Sequence, residues 1–374
     1  MKTRDVVPLT QMFVSISDPR SARQVRHDLS ELLTVAVCAV LCSADEFSDI
    51  EAWAKERIDW LRGFLVLEHG IPSHDTFGRV FAALNPREFE AAFRRWVGQL
   101  IPAFGEDAVV AIDGKTSRRS TTKAAASPLH LVSAFATDVG LVLGQVATAE
   151  KSNEITAIPE LLATLALEGC VVTLDAMGTQ TGIAKAIRKG GADYVLCVKD
   201  NHPKLVESFL LAQAGVGGAL RASSTTESRE DGHGRTEVRR CWAFDAVDRL
   251  YKADQWTDLK SFAIIERERS VGAKISCERR YYISSLPADA ARIAHAVRRH
   301  WEIENRLHWC LDVQFGEDQA TVRTGHAANN LAIVRHIVMN LLRLNTSRKG
   351  SIKTKRMLAA TSDTFRAELL GFMT

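Results

Sequence analysis

Two aspartates and a glutamate, far apart in the chain, are of the residue types that hold divalent cations. Asp113 ends the run Val109-Val110-Ala111-Ile112, and Asp175 ends Val171-Val172-Thr173-Leu174. Short apolar, β-branched runs read as buried strands, so each carboxylate stands where a strand runs out of a sheet. Glu304 lies instead in HWEIENRLHW, within a long segment of helical period. Carboxylate oxygens suit hard Mg²⁺ or Mn²⁺. Two such ions about 4 Å apart can activate a nucleophile and stabilise a leaving 3′-oxygen, which points to polynucleotide chemistry. Carboxylates gathered without a cation would repel one another, so convergence favours metal.

Each acid has a plainer reading. Asp113 precedes Gly114 and, taken alone, is a turn residue; Asp175 is open to the same description. Both at strand ends, followed by a helix acid, point to a site instead. Glu302 lies about 200° around the helix from Glu304 and faces elsewhere. Glu317 and Asp318 read as supporting or surface acids. His300, Glu304 and His308 align on one helical face. That spacing raises a zinc site, but HExxH is absent and histidines eight residues apart on one helix cannot share an ion. They read as packing or phosphate contacts. Lys115, Arg118, Arg119, Arg298, Arg299 and Arg306 flank the acids and are candidate phosphate grips. Gly114, Gly140 and Gly178 form no phosphate-binding loop.

The elements that must position these residues follow from periodicity. Residues 28–104 read as all-helical, with Ser73 as N-cap of one helix and Asn85-Pro86 opening the next. The helix after Ser73 resembles a helix-turn-helix recognition element. From residue 107 the period changes to strands: DAVVAID, LHLVSAFAT and LVLGQVAT, the last two joined across a hairpin-sized turn. Helix, strand, helix and strand follow, ending in DYVLCVKD. The expected fold class is α/β: a ribonuclease H-like core (residues 105–345), an all-helical N-terminal domain before it (1–104), and a mainly β insertion near 201–285. Asp289 is the expected N-cap of the helix bearing Glu304, and residues 346–374 read as a basic tail.

Composition bounds the function. The chain has 374 residues, 46% hydrophobic and 25% charged, with a net charge of only +3. The distribution says more: residues 321–374 hold nine Lys/Arg against two acids, and residues 1–27 hold five against two. Basic ends suit a polyanion. In the tail, Arg343, Arg348, Lys349, Lys353, Lys355 and Arg356 are the expected phosphate contacts. Seven cysteines without zinc spacing suggest a reducing compartment. No leader or membrane span is legible, so a cytoplasmic, nucleoid-associated protein is expected.

Several strings together resemble the DDE transposases of bacterial insertion sequences, in the H-repeat-associated branch linked to Rhs elements. They are ISDPR (16–20), GIPSHDTFGRVFAALNP (70–86), AIDGKTSRRS, LDAMGTQ, VKDNH (198–202), HGRTEVRR (233–240), YYISSL and RRHWEIENRLHWCLDVQFGED (298–318). The resemblance implies cutting at element ends and joining of 3′-hydroxyls to target DNA with Mg²⁺, with Asp113, Asp175 and Glu304 as catalytic acids. It also implies a double-stranded DNA partner and a homodimer on DNA. In the broader family a tyrosine and an arginine precede the glutamate and a lysine follows it. Here those positions hold Val297, His300 and Leu311, so those roles do not carry over. A ribonuclease H-like nuclease without strand transfer and a domesticated, non-catalytic DNA-binding protein stay open as alternatives.

Overall fold

The computed structural model describes residues 9–371, apart from 22, 24, 102–103, 106, 118–127, 149–153, 216–219 and 233. Its centre is one nine-stranded sheet in the order β3-β2-β1-β4-β5-β9-β8-β7-β6. The first five strands are β1 (Val109–Thr116), β2 (His130–Ala136), β3 (Leu141–Thr148), β4 (Val171–Leu174) and β5 (Asp193–Val198). β1, β2 and β3 form an antiparallel meander, while β4 and β5 add parallel strands beside β1. Crossovers through α7 (Glu154–Leu162) and α8 (Thr181–Lys189) make the parallel pairs possible. This is the ribonuclease H-like core expected from the sequence.

The insertion extends that sheet. After α9 (Pro203–Gln213) come β6 (Ser224–Gly232), β7 (Arg235–Phe244), β8 (Ser261–Val271) and β9 (Lys274–Ser284). All pair antiparallel, and β9 closes onto β5. Side chains alternate along each strand, so the sheet presents two apolar faces. On one, Val109, Val171, Val195, Cys241, Ala263 and Tyr282 pack against Ile293 and Ala296 of α10 (Ala290–Glu302). Asp289 caps α10, accepting from the amides of Ala291 and Arg292.

The other face belongs to a much larger core, shared with the helices. These are α2 (Leu29–Leu41), α3 (Phe47–Glu56), α5 (His74–Ala83) and α6 (Pro86–Leu100), with the small α1 (Leu9–Phe13) and α4 (Ile58–Leu61). The Ser73 hydroxyl and the Asn85 side chain cap α5 and α6. α1 precedes residue 28, where the helical period becomes legible in the sequence. α12 (Ala327–Leu344), which follows the short α11 (Trp309–Gln314), packs on α2, α5, α6 and β3. The apolar core therefore runs without a break from the N-terminal helices into the sheet.

The basic C-terminal segment departs from expectation. Residues 352–369 form α13 (Ile352–Thr361) and α14 (Asp363–Leu369), each capped by a serine. Three of the six expected phosphate contacts are consumed inside the protein. Lys355 Nζ donates to the carbonyls of Leu342 and Asn345. Arg356 donates to Val40 O, pairs with Asp45 at 2.5 Å and stacks on Phe315. Arg343 donates to the carbonyls of Gly140 and Arg306. Arg348, Lys349 and Lys353 remain exposed. None of the described helices is long and apolar enough to cross a membrane.

Candidate active site

The parallel register between β1 and β4 ends at the pair Ile112–Leu174. Asp113 and Asp175 are the next residues of two strands lying about 4.8 Å apart, and both share the side-chain parity of Val109 and Val171. They therefore point to the α10 face. β1 itself continues to Thr116 against β2, so Asp113 ends the parallel pairing but not the strand.

The helix supplies the third acid through a break in its own geometry. Beyond α10, residues 303–308 wind as a π-turn, in which the Trp309 amide bonds to the Glu304 carbonyl five residues back. Glu304 then lines one cavity of about 200 Å³ with Asp113 and Asp175, beside Lys199, Arg280 and Trp301. Glu302 is turned away and pairs with Arg299 and Arg306. A carboxylate oxygen of Asp113, one of Glu304 and a ring nitrogen of His308 lie within 4.8 Å of one another; Asp175 stands outside that closest group.

The electrostatics are those of acids crowded together. Burial, then the neighbouring Glu304 carboxylate, pushes Asp113 up to about 8. The His308 imidazole beside it holds Glu304 down to about 2, so the pair keeps its shared proton on Asp113. Asp175 Oδ1 accepts from the amides of Met177 and Gly178, at 2.9 and 3.1 Å, which fixes its orientation. His300 Nδ1 lies 3.0 Å from the Thr173 hydroxyl, and burial lowers its pKa to about 4. Behind Asp113, the buried pair His130–Glu154 at 2.6 Å crowds Gly114, where an added Cβ would stand 2.4 Å from the Glu154 carboxylate.

The basic residues singled out in the sequence scatter. Lys115 does not line the cavity: its Nζ sits among Asp312 and Glu317, each at 2.7 Å, and Asp318 at 3.5 Å. Arg299 pairs with Asp138 at 2.9 Å, and Arg306 donates to Thr137 O. These three serve internal contacts, because a partly buried cation beside carboxylates is held there. Arg298 is exposed and pairs with Glu230. Arg118 and Arg119 lie outside the described residues. Sequence reading missed Lys199, Arg280 and Trp301. His308, four residues from Glu304, reads in the sequence as packing or a phosphate contact and instead stands beside Asp113 and Glu304.

Next to the cavity, and sharing Arg280, Tyr282, Val297 and Trp301 with it, a trough of about 490 Å³ runs between α10 and β6–β9. Its lining holds seven arginines and three glutamates, a net positive surface.

A ribonuclease H-like sheet whose adjacent core strands and a following helix bring three acids to one cavity defines a class of nucleic-acid phosphoryl-transfer enzymes. Residues 104–341 match the family described as Transposase DDE domain, and residues 10–97 the region described as DDE_Tnp_1-associated. The chain belongs to the DDE transposase family. It is 38% identical over 367 residues to YhhI of Escherichia coli strain K12, which carries an H repeat-associated transposase name; the match covers 95% of this chain and 96% of that one. It is 39% identical over 362 residues to YncI of Escherichia coli O157:H7, also under a transposase name, covering 95% and 92%. A piggyBac transposase synaptic complex with hairpin DNA covers 98% of this chain and 79% of its own, at 9% identity and a TM-score of 0.44.

Proposed function

We propose that this chain cuts DNA at the ends of an insertion sequence and joins the freed 3′-hydroxyls to target DNA. Asp113, Asp175 and Glu304 would hold two Mg²⁺ or Mn²⁺ ions. The observation that carries the reading is the meeting of these acids, from β1, the end of β4 and the π-turn, on one cavity. The donor set fits a divalent cation: Asp113 retains a proton that a cation would replace, and Asp175 Oδ2 has no hydrogen bond among the described residues. When bound, such ions activate a nucleophile and offset charge on the leaving oxygen. The chain's own contribution is to fix the acids: the Met177 and Gly178 amides orient Asp175, and the β1–β4 register sets the two aspartates side by side.

DNA reaches the site, in this reading, along the arginine-rich trough, with Lys199 and Arg280 at the cavity itself. Exposed Arg298 belongs to that path. α5 and its neighbours contribute to recognition of element ends, and two copies act together on DNA in the nucleoid. A duplex carrying the element's own end, incubated with Mg²⁺ and a target plasmid, tests the proposal. Cleavage and joined product are expected for the native chain; Asp113→Asn, Asp175→Asn and Glu304→Gln should lose both while still retarding the duplex in a gel. Cleavage without joining would establish the nuclease reading. Cleavage by Asp113→Asn at the native rate would remove the catalytic assignment.

A further inference from the structure

His308 is not used by the three-acid reading, yet it belongs to the closest group of ligand atoms with Asp113 and Glu304, from which Asp175 is absent. It is 6% exposed, and its Nδ1 lies 3.4 Å from Glu304 Oε2 and 3.6 Å from Asp113 Oδ2. Neither separation is that of a well-made hydrogen bond. Both are close to what a shared ion imposes: donors bonded at about 2.1 Å to one centre stand about 3.0–3.5 Å from each other. A buried polar nitrogen is thus aimed at two carboxylates without being bonded to either.

The backbone is shaped to put it there. Residues four apart on a regular α-helix are separated by about 6 Å along the axis. The π-turn over 303–308 packs more residues into each turn, which brings His308 back toward the level of Glu304. Such turns cost helical regularity and gather at functional positions. Nε2 is buried with no partner among the described residues, so no hydrogen bond there fixes the tautomer. The ring is free to keep its proton on Nε2 and turn the Nδ1 lone pair to a cation.

We propose that His308 is a nitrogen ligand of one cation, sharing it with Asp113 and Glu304, and that this mixed set makes the site prefer Mn²⁺ to Mg²⁺. Carboxylates and water suit Mg²⁺ and Mn²⁺ alike, whereas an imidazole nitrogen is a ligand for transition metals and a poor one for hard Mg²⁺. The inference rests on the metal-binding reading above. His300, whose Nδ1 is held 3.0 Å from the Thr173 hydroxyl, lies outside the closest group of ligand atoms and serves as the control.

Pulsed electron paramagnetic resonance of Mn²⁺ bound to the full, tag-free chain tests it without DNA or turnover. The expected spectrum shows modulation from a directly coordinated ¹⁴N nucleus, lost in His308→Gln and kept in His300→Gln. Calorimetric titration should show Mn²⁺ binding to His308→Gln weakened roughly tenfold or more, the cost of losing a metal contact, with a smaller change for Mg²⁺. Bound Mn²⁺ without ¹⁴N modulation in the native chain would overturn the His308 assignment and leave the acids as ligands. Mn²⁺ affinity unchanged in Asp113→Asn would overturn the metal reading itself. Because the native spectrum alone answers the first question, a His308→Gln chain that failed to fold would not remove the test.

Discussion

At the scale of single residues, the site has an electrostatic signature that can be read in stability before any chemistry. Asp113 has its pKa raised from 3.8 to about 8 and Glu90, buried beside Gln145, from 4.5 to about 7. In both cases the folded chain keeps a proton that the unfolded chain has already shed. Stability therefore falls as pH rises through that window. Glu304 works the other way only below 4.5, and the buried rings of His300 and His336, lowered from 6.5 to about 4, do so only below 6.5. Metal-chelated protein should therefore melt lower at pH 8 than at about pH 6.5, and Asp113→Asn and Glu90→Gln should each flatten the difference. A full slope retained in Asp113→Asn would refute the pKa ordering. Gly114→Ala makes a steric prediction at the same place. The added methyl meets the buried His130–Glu154 pair, which has nowhere to retreat, so a loss of about 1–3 kcal/mol is expected in denaturant titration.

At the scale of elements, the C-terminal helices change what their charges can do. Each phosphate neutralised adds roughly 0.9 to the slope of log affinity against log salt on duplex DNA. With Arg343, Lys355 and Arg356 turned inward, only Arg348, Lys349 and Lys353 are free to contribute. Replacing those three with alanine should lower the slope by at most roughly 2.7 units, without changing sequence preference. Replacing Arg343, Lys355 and Arg356 as well should lower it no further, and a drop near roughly five units in that six-residue variant would mean the inward-facing residues reach DNA after all. The inward set is structural. Arg366 is fully buried, lies 4.0 Å over the Trp60 ring and donates to Ala359 O. Arg366→Ala removes that packing and leaves polar groups unmatched, so about 2–4 kcal/mol should be lost in urea unfolding.

At the scale of the whole molecule, the continuous core makes a prediction about separability. α12 comes more than two hundred residues after α6 yet lies among α2, α5 and α6, where Asn330 donates to the carbonyls of Phe81 and Leu84. A fragment of residues 9–100 would leave the apolar surface that α12 covers facing water. Such a fragment should show helical far-ultraviolet dichroism but poorly dispersed amide resonances, the behaviour of a loosely packed state. Well-dispersed resonances from that fragment alone would show an independent N-terminal domain. The full chain, by the same reasoning, should lose its helical and sheet signals in one urea transition.

The sequence alone determined what depends on local pattern. Apolar runs and turn residues placed β1 to β5 in ribonuclease H order and set Asp113 and Asp175 where two such runs end, and capping residues placed α5, α6 and α10; the shared face of the two aspartates came from the β1–β4 register. Only tertiary structure decided what depends on who packs against whom. The π-turn that presents Glu304 and His308 has no signal in its own residues, IENRLH, which include neither Gly nor Pro. The insertion reads as a separate β unit from its own residues; it becomes four more strands of the central sheet because β5 offers β9 an open edge. A lysine, or an arginine in a basic segment, reads as a phosphate contact until the fold supplies nearer partners. Lys115 found three carboxylates and Arg356 found Asp45, since a cation that the fold buries must be paired within it.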